Sequence, residues 1–294
     1  MELRHLDTLL AIDDEGSFTA AADALNTVQS NVSEQVRQLE RELGVSLLVR
    51  SRRGASPTEC GRAVLERARR IRRELDALRN DLSMLQGLET GNASLGVVGT
   101  ASRWLVPALV ADLRERARGV KLRVNEGASE RLFGEVLGQE IAQAVVTEPV
   151  LEKRLVVEHL LEEALLGLAP EGLRLPPPPV PLAALAEYPF VLPPANNPLR
   201  IEVEMAARAE GVTLDVPVEV EGIRLIADLV AAGRSVSVLP PTAIPPELVG
   251  LRTFPIARMP PRRLALVTAR DAQLSLADRA VRDSVLRLVA GHRS

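Results

Sequence analysis

The chain has 294 residues, a length that favours two or three domains over one. Hydrophobic residues make up 46% and charged residues 26%, with a net charge of -3, which excludes a disordered, fibrous or disulfide-built chain. One cysteine, Cys60, and three scattered histidines, His5, His159 and His292, exclude an internal disulfide and offer no metal or cofactor site. No long uncharged apolar run and no basic-then-apolar leader is present, so a cytoplasmic protein outside the membrane is expected.

Charge is unevenly spread. Between Arg50 and Arg73 nine arginines face two acids, Glu59 and Glu66, a local +7. Cationic density of this kind suits phosphate.

Leu6, Leu9, Leu10 and Ile12 predict a first helix, ended by Asp13 to Gly16. Ser17 is a good N-cap for a second, with Phe18, Ala21, Ala22 and Leu25 on one face. Asn26 and Thr27 interrupt it, and a third helix carries Val28, Val32, Val36, Leu39 and Leu43 before Gly44. Gln29, Ser30, Asn31 and Ser33 are then displayed near its start. Two short helices joined by a tight turn, the second with small polar side chains at its N-terminal end, form a helix-turn-helix able to enter a major groove. Gln and Asn hold adenine bidentately, and Ser bonds base edges or phosphate. This segment alone fits an ordinary three-helix core with a polar outer face equally well.

Leu47 to Arg50, the turn Ser51-Arg52-Arg53-Gly54 and the return Ala55 to Thr58 predict a hairpin with arginines at its tip, placed for backbone phosphate or a minor groove. Clustered arginines repel one another without an anion, which tips the balance toward a winged, DNA-reading module.

The run Ser17-Phe18-Thr19-Ala20-Ala21-Ala22-Asp23-Ala24-Leu25, then Val28 to Glu40, Leu43-Gly44 and Leu47 to Arg50, closely resembles the DNA-binding domain of LysR-type transcriptional regulators. The resemblance implies that Gln29, Ser30 and Ser33 face DNA, with Asn31, Glu34 and Arg37 beside them and Arg50, Arg52 and Arg53 on the wing. Two positions depart from the family: Glu34 replaces a commonly basic residue, and Leu48 a commonly aromatic one.

From Glu59 to Gln86 no proline occurs, Thr58 is the expected N-cap, and Val64, Ala68, Ile71, Leu75, Leu78, Leu82 and Leu85 alternate spacings of four and three. That is a heptad seam, which predicts pairing through Ile71, Leu75, Leu78, Leu82 and Leu85. A two-fold dimer, or a dimer of dimers, would read a pseudo-palindromic double-stranded site. Cys60, in the first turn with no resolving partner, reads as a small structural residue rather than a redox sensor.

After Gly91 strands alternate with helices: Ser94 to Gly99, helix Trp104 to Ala117, Leu122 to Val124, helix Glu130 to Leu137, and Ala144 to Val146. This predicts a parallel sheet whose ligand lies beyond the strand ends, near Thr100, Ser102, Arg103, Ala128, Ser129 and Thr147. Hydroxyls and amides at helix starts favour a small anion. A second lobe follows from Glu163: strands Leu165 to Ala169, Phe190 to Leu192, Val216 to Val220 and Val236 to Leu239, with helices Arg200 to Glu210 and Ile223 to Ala232. Pro176 to Pro179 reads as a stiff surface loop. Strand Leu264 to Thr268 and helix Leu276 to Val289 return to the first lobe.

The expected fold class is therefore α/β, with a winged helix-turn-helix over 1–58, a dimerising linker helix over 59–90 and a two-lobed domain over 91–294. Lobe one takes 91–162 and 264–294, and lobe two 163–263. The two-lobed layout is similar to the regulators' effector domain and to periplasmic solute-binding proteins. The resemblance adds Asn196, Asn197, Glu221, Gly222 and Ile223 to the effector contacts. Gln139-Glu140-Ile141-Ala142, where the family has Gly-x-x-Asp, and Gly233-Arg234-Ser235, where it has paired glycines, imply a rebuilt cleft. No catalytic triad, phosphate loop or dinucleotide turn points to an enzyme. A ligand-responsive transcriptional regulator is the leading reading, and a DNA-binding regulator blind to small molecules the alternative.

Overall fold

The computed structural model describes residues 1–51, 54–85, 90–244 and 249–292. It forms two compact units, Met1–Arg79 and Asn80–Ser294.

In the first unit, α1 (Leu3–Glu15) ends at Gly16, whose φ of 72° only glycine adopts cheaply. α2 (Phe18–Ala24) starts on the Ser17 hydroxyl, which accepts from the Ala20 amide at 3.1 Å. Asn26, at φ 52°, turns the chain into α3 (Gln29–Leu43). Val28 is therefore the N-cap of α3 and is exposed, as is Leu43, although their spacing matched the apolar stripe. Leu6, Leu9, Leu39 and Leu47 form one small core, and Ile12, Phe18, Ala21, Val32 and Val36 another.

β1 (Leu48–Ser51) and β2 (Gly54–Pro57) pair antiparallel and give the expected hairpin. Two devices fix it to the helices: Glu40 on α3 accepts from the Leu47 amide at 2.7 Å, and the Ala55 amide donates to the Gly16 carbonyl at 3.0 Å. α4 (Glu59–Leu85) begins on Thr58, whose hydroxyl accepts from the Gly61 amide at 2.9 Å, as expected of an N-cap. Gly61 lies against the Leu47 carbonyl, where any β-carbon would collide.

The seam of α4 divides. Its first part, with Leu65 and Ala68 buried and Val64 beside them, packs on the core of its own unit. From Ile71 onward the line turns outward: Leu78 and Leu82 are 56% and 50% exposed. The Leu85 side chain lies outside the described residues. Cys60 is exposed, so it fills no packed position and the structural reading of it fails.

The second unit has two cores. Lobe one is built on β3 (Thr90–Val97), α5 (Gly99–Arg116), β4 (Gly119–Glu126), α6 (Ser129–Leu137), β5 (Gln143–Thr147) and β6 (Leu155–Glu163). Lobe two holds β7 (Leu166–Pro170), α7 (Leu182–Leu185), β8 (Val191–Leu192), α8 (Pro198–Ala209), β9 (Val218–Glu219), α9 (Ile223–Ala232), β10 (Ser237–Leu239) and β11 (Leu251–Pro255). β12 (Arg262–Ala269) and α10 (Leu276–His292) return to lobe one.

The five strands of lobe one run in the order β4-β3-β5-β12-β6. β4, β3 and β5 are parallel, as the alternation of strand and helix predicts; β12 is antiparallel to both of its neighbours, so the sheet as a whole is mixed. The returning strand enters from the second lobe, and that reversal of direction is the cause. Lobe two carries an antiparallel β10-β7-β11 sheet and a small parallel β8-β9 pair. The chain crosses between lobes after Glu163 and before Arg262, which are directly paired across β6 and β12.

Candidate functional site

The start of α3 presents Gln29, Ser30 and Asn31 to solvent. Ser33 does not join them. It is 3% exposed, and its hydroxyl accepts from Gln29 Nε2 at 3.0 Å. Its position, one residue from Val32 and three from Val36 on the buried face, turns it inward, so it positions Gln29 instead of meeting a base. Further bonds brace this surface: Asn31 donates to Thr27 Oγ1 at 3.0 Å and accepts from Gln35 at 3.3 Å, while Gln35 accepts from Thr8 on α1. These polar side chains are thus held to one another and to α1.

Glu34 is exposed and lies between two cations, Arg37 at 3.0 Å and Arg41 at 2.8 Å. Its charge is thus offset on the helix surface, and Arg37 shares its own. Part of the basic block is likewise used internally: Arg69 pairs with Asp13 at 2.6 Å and with Asp14 at 3.4 Å, and Arg72 with Asp7, tying α4 to α1. These are helix-to-helix braces, which the count of arginines could not distinguish from a phosphate-binding row. Arg50 lies in β1; the wing-tip residues Arg52 and Arg53 fall outside the described residues.

In the second unit a cavity of about 640 Å³ opens between the lobes. That is within the size range of small-molecule sites. Thr100, Ser129 and Thr147 reach it from lobe one, and Asn196, Asn197, Gly222 and Ile223 from lobe two, all as expected from the sequence. Ser102 and Arg103 do not line it. α5 begins at Gly99 rather than Trp104, so both are wound into the helix instead of lying in the preceding loop. Ser102 Oγ turns back to Gly99 O at 3.0 Å and to Glu126 Oε2 at 2.6 Å. Trp104 stacks on His292 with centroids 4.4 Å apart and is absent from the cavity wall.

Several lining groups are already engaged. Ser129 Oγ accepts from the Thr147 amide at 3.1 Å, and Asn197 caps α8 by accepting from the Leu199 amide at 3.0 Å. Sequence reasoning missed Glu126, Arg131, Pro194 and Arg262 in the wall. Glu126 was passed over because the strand was read only as far as Val124, whereas it runs to Glu126; Arg262 emerges only once β6 is known to pair with β12.

Arg262 anchors the floor. Its side chain is 1% exposed and its guanidinium bonds Glu163, itself 7% exposed, and the Thr100 hydroxyl. Thr242, in the 3-10 turn Pro241–Ala243 of lobe two, donates to Glu163 Oε2 at 2.8 Å. One buried pair thus joins both crossings, the start of α5 and lobe two. Glu202 on α8 lies near it, with Oε2 buried and lacking a hydrogen-bond partner. Burial pushes its carboxyl up to about 7; the neighbouring Arg262 opposes the rise and Glu163 adds to it.

Residues 3–62 match the family described as bacterial regulatory helix-turn-helix protein, lysR family, and residues 86–290 match the LysR substrate binding domain. The chain belongs to the LysR-type transcriptional regulators. It is 30% identical over 295 residues to the nitrogen assimilation regulatory protein nac of Klebsiella aerogenes, covering 99% of this chain and 96% of that one. Identity to the DNA-binding transcriptional dual regulator OxyR of Escherichia coli (strain K12) is 27% over 267 residues, 90% of this chain and 87% of OxyR. Among solved structures, full-length CbnR complexed with its target DNA superposes with a TM-score of 0.72 at 21% identity, covering 98% of this chain and 100% of CbnR. A full-length OxyR variant of Pseudomonas aeruginosa gives 0.71 at 21%, covering 97% and 98%. As a LysR-type regulator the chain joins a DNA-binding helix-turn-helix to an effector-binding domain, and its relatives are regulators rather than enzymes.

Proposed function

We propose that two copies of this regulator pair along the outward part of α4, through Ile71, Leu75, Leu78 and Leu82, and present two winged helices to duplex promoter DNA. α3 enters the major groove with Gln29, Ser30 and Asn31 toward base edges, while Arg37 and the wing arginines meet phosphate. Ser33 acts behind them by orienting Gln29. The exposed, braced polar turn at the start of α3 is the observation that carries this reading. A leucine line left open to water in a single chain supports the pairing, since a heptad seam finds burial against its own copy. A DNA partner puts the protein to work in the cytoplasm.

The inter-lobe cavity serves as the effector site. Occupancy biases lobe closure around the crossings at Glu163 and Arg262, and closure alters how the paired heads engage DNA. The test is fluorescence anisotropy of the purified protein with DNA from upstream of its own gene, repeated over a range of salt. Binding at low salt that weakens steeply as salt rises is expected, because phosphate contacts release counterions. No binding at low salt, or binding indifferent to salt, overturns the proposal.

A further inference from the structure

The charge of the cavity wall narrows the ligand, and this step rests on taking the cavity as the effector site. Four ionisable side chains line it: Glu126, Arg131, Glu221 and Arg262. Arg262 is buried in an internal pair, and Arg131, though 58% exposed, leans on groups of its own lobe. Arg262 is held by buried Glu163, and Arg131 pairs with Glu135 at 3.4 Å and donates to the Glu126 carbonyl. Among the described residues no cation pairs with Glu126 or Glu221. After internal pairing the wall keeps two negative charges, one from each lobe.

Glu126 also stands where an anion would otherwise settle. It closes β4 beside the first turn of α5, its Oε2 accepting from Ser102 Oγ at 2.6 Å. A β-carbon built on Gly99 would lie 3.3 Å from Glu126 Oε1 and 3.6 Å from Ile223 Cγ1, so carboxylate, helix start and lobe two converge there. The start of an 18-residue helix carries a positive partial charge and open amides that favour negative ligands. Here the protein supplies that negative group itself and spends the Ser102 hydroxyl on it. An incoming carboxylate would meet a like charge there, whereas an ammonium would find a partner.

We propose that the cavity takes a small organic amine, its cation engaging Glu126 of lobe one and Glu221 of lobe two, and that Glu126 is the residue that rejects carboxylates. This replaces the anion that the helix starts suggest from sequence. One cation touching both lobes favours closure, which gives the ligand a differential affinity for the closed form.

The test uses the full-length protein and ligands matched in carbon chain: putrescine against succinate, and butylamine against butyrate, titrated by calorimetry into wild type, Glu126→Gln and Glu221→Gln. At least one amine is expected to bind wild type saturably, with tenfold or greater weakening in each variant. Succinate or butyrate is expected to bind Glu126→Gln at least tenfold more tightly than wild type. Carboxylate binding to wild type that Glu126→Gln leaves unchanged overturns the proposal, and so does the failure of both amines to bind. A DNA gel shift on the same samples separates the two levels: intact DNA binding with no amine binding overturns the ligand class alone, and lost DNA binding in wild type overturns the regulator reading.

Discussion

Arg262→Met removes one half of the buried pair at the lobe crossings and leaves Glu163, 7% exposed, without a cation. Taking one partner from a buried pair costs about 3–5 kcal/mol, because a desolvated charge remains. Thr242 still donates to Glu163 at 2.8 Å, so the remaining charge keeps one partner and the lower end, about 3 kcal/mol, is expected. For a unit of roughly 200 residues that is about 6–12 °C in Tm. Trp104, the one tryptophan of the sequence, sits on α5, whose Thr100 also bonds Arg262, so urea unfolding followed by its fluorescence reports on this unit. Arg262→Met with Glu163→Leu should recover most of the loss, since an apolar pair of similar volume is tolerated where a lone charge is not. A single variant within about 1 kcal/mol of wild type, or a double variant no better than the single, would refute the reasoning.

Glu202 gives a pH dependence with a definite sign. Its carboxyl is raised to about 7 in the folded state against 4.5 when unburied, so stability is highest below 4.5, falls as pH rises, and the penalty is complete above about 7. At 1.36 kcal/mol per pH unit the loss is at most about 3 kcal/mol, less where solvent screens the site. Glu202→Gln should flatten thermal stability between about pH 5 and pH 8 and raise Tm at the upper end; an unchanged slope would show that another group is responsible. Leu78→Lys with Leu82→Lys removes half-exposed apolar surface from the α4 seam, about 1 kcal/mol per side chain and twice that across a symmetric pair, before the added charge repulsion. Sedimentation equilibrium should then show the dimer Kd rising at least a hundredfold, while circular dichroism of the monomer is unchanged. A dimer of wild-type affinity would place the interface elsewhere.

The first unit was legible because its signals are local. Ser17 caps within three residues, Asn26 takes the left-handed turn, and Thr58 receives the Gly61 amide, all readable from neighbours in sequence. Burial in a packed helix was less visible. Val28 fits the apolar spacing yet caps α3 in solvent, and Ser33 looks like a groove contact yet is closed off by packing. Arg69 and Arg72 count toward a basic block until α1 is seen beside them. In the second unit, β6 escaped notice. Leu155–Glu163 carries no turn residue at its ends and its burial does not alternate, because the strand shifts register between Leu264 and Ala265 of its partner. With β6 went the Glu163 to Arg262 pair, 99 residues apart in sequence, and with it the floor of the cavity. β11 and α7 were also absent from the sequence reading; the former is formed by pairing with β7, and the latter is a single turn. Of the nine expected effector contacts, Thr100, Ser129 and Thr147 reach the cavity because positions after strands follow from topology, and Asn196, Asn197, Gly222 and Ile223 where the family resemblance put them, while Ser102 and Arg103 fail with the start of α5.

On the proposed function, α3 reads bases in two symmetric half-sites. Hydroxyl-radical footprinting on DNA upstream of the gene tests this directly, with wild type and Gln29→Ala side by side. Wild type should protect two half-sites separated by about 10 base pairs or a multiple on one face of the duplex, and Gln29→Ala should lose the preference for that sequence while keeping salt-sensitive binding to unrelated DNA. A single unpaired footprint, or a Gln29→Ala protein with undiminished sequence preference, would contradict it.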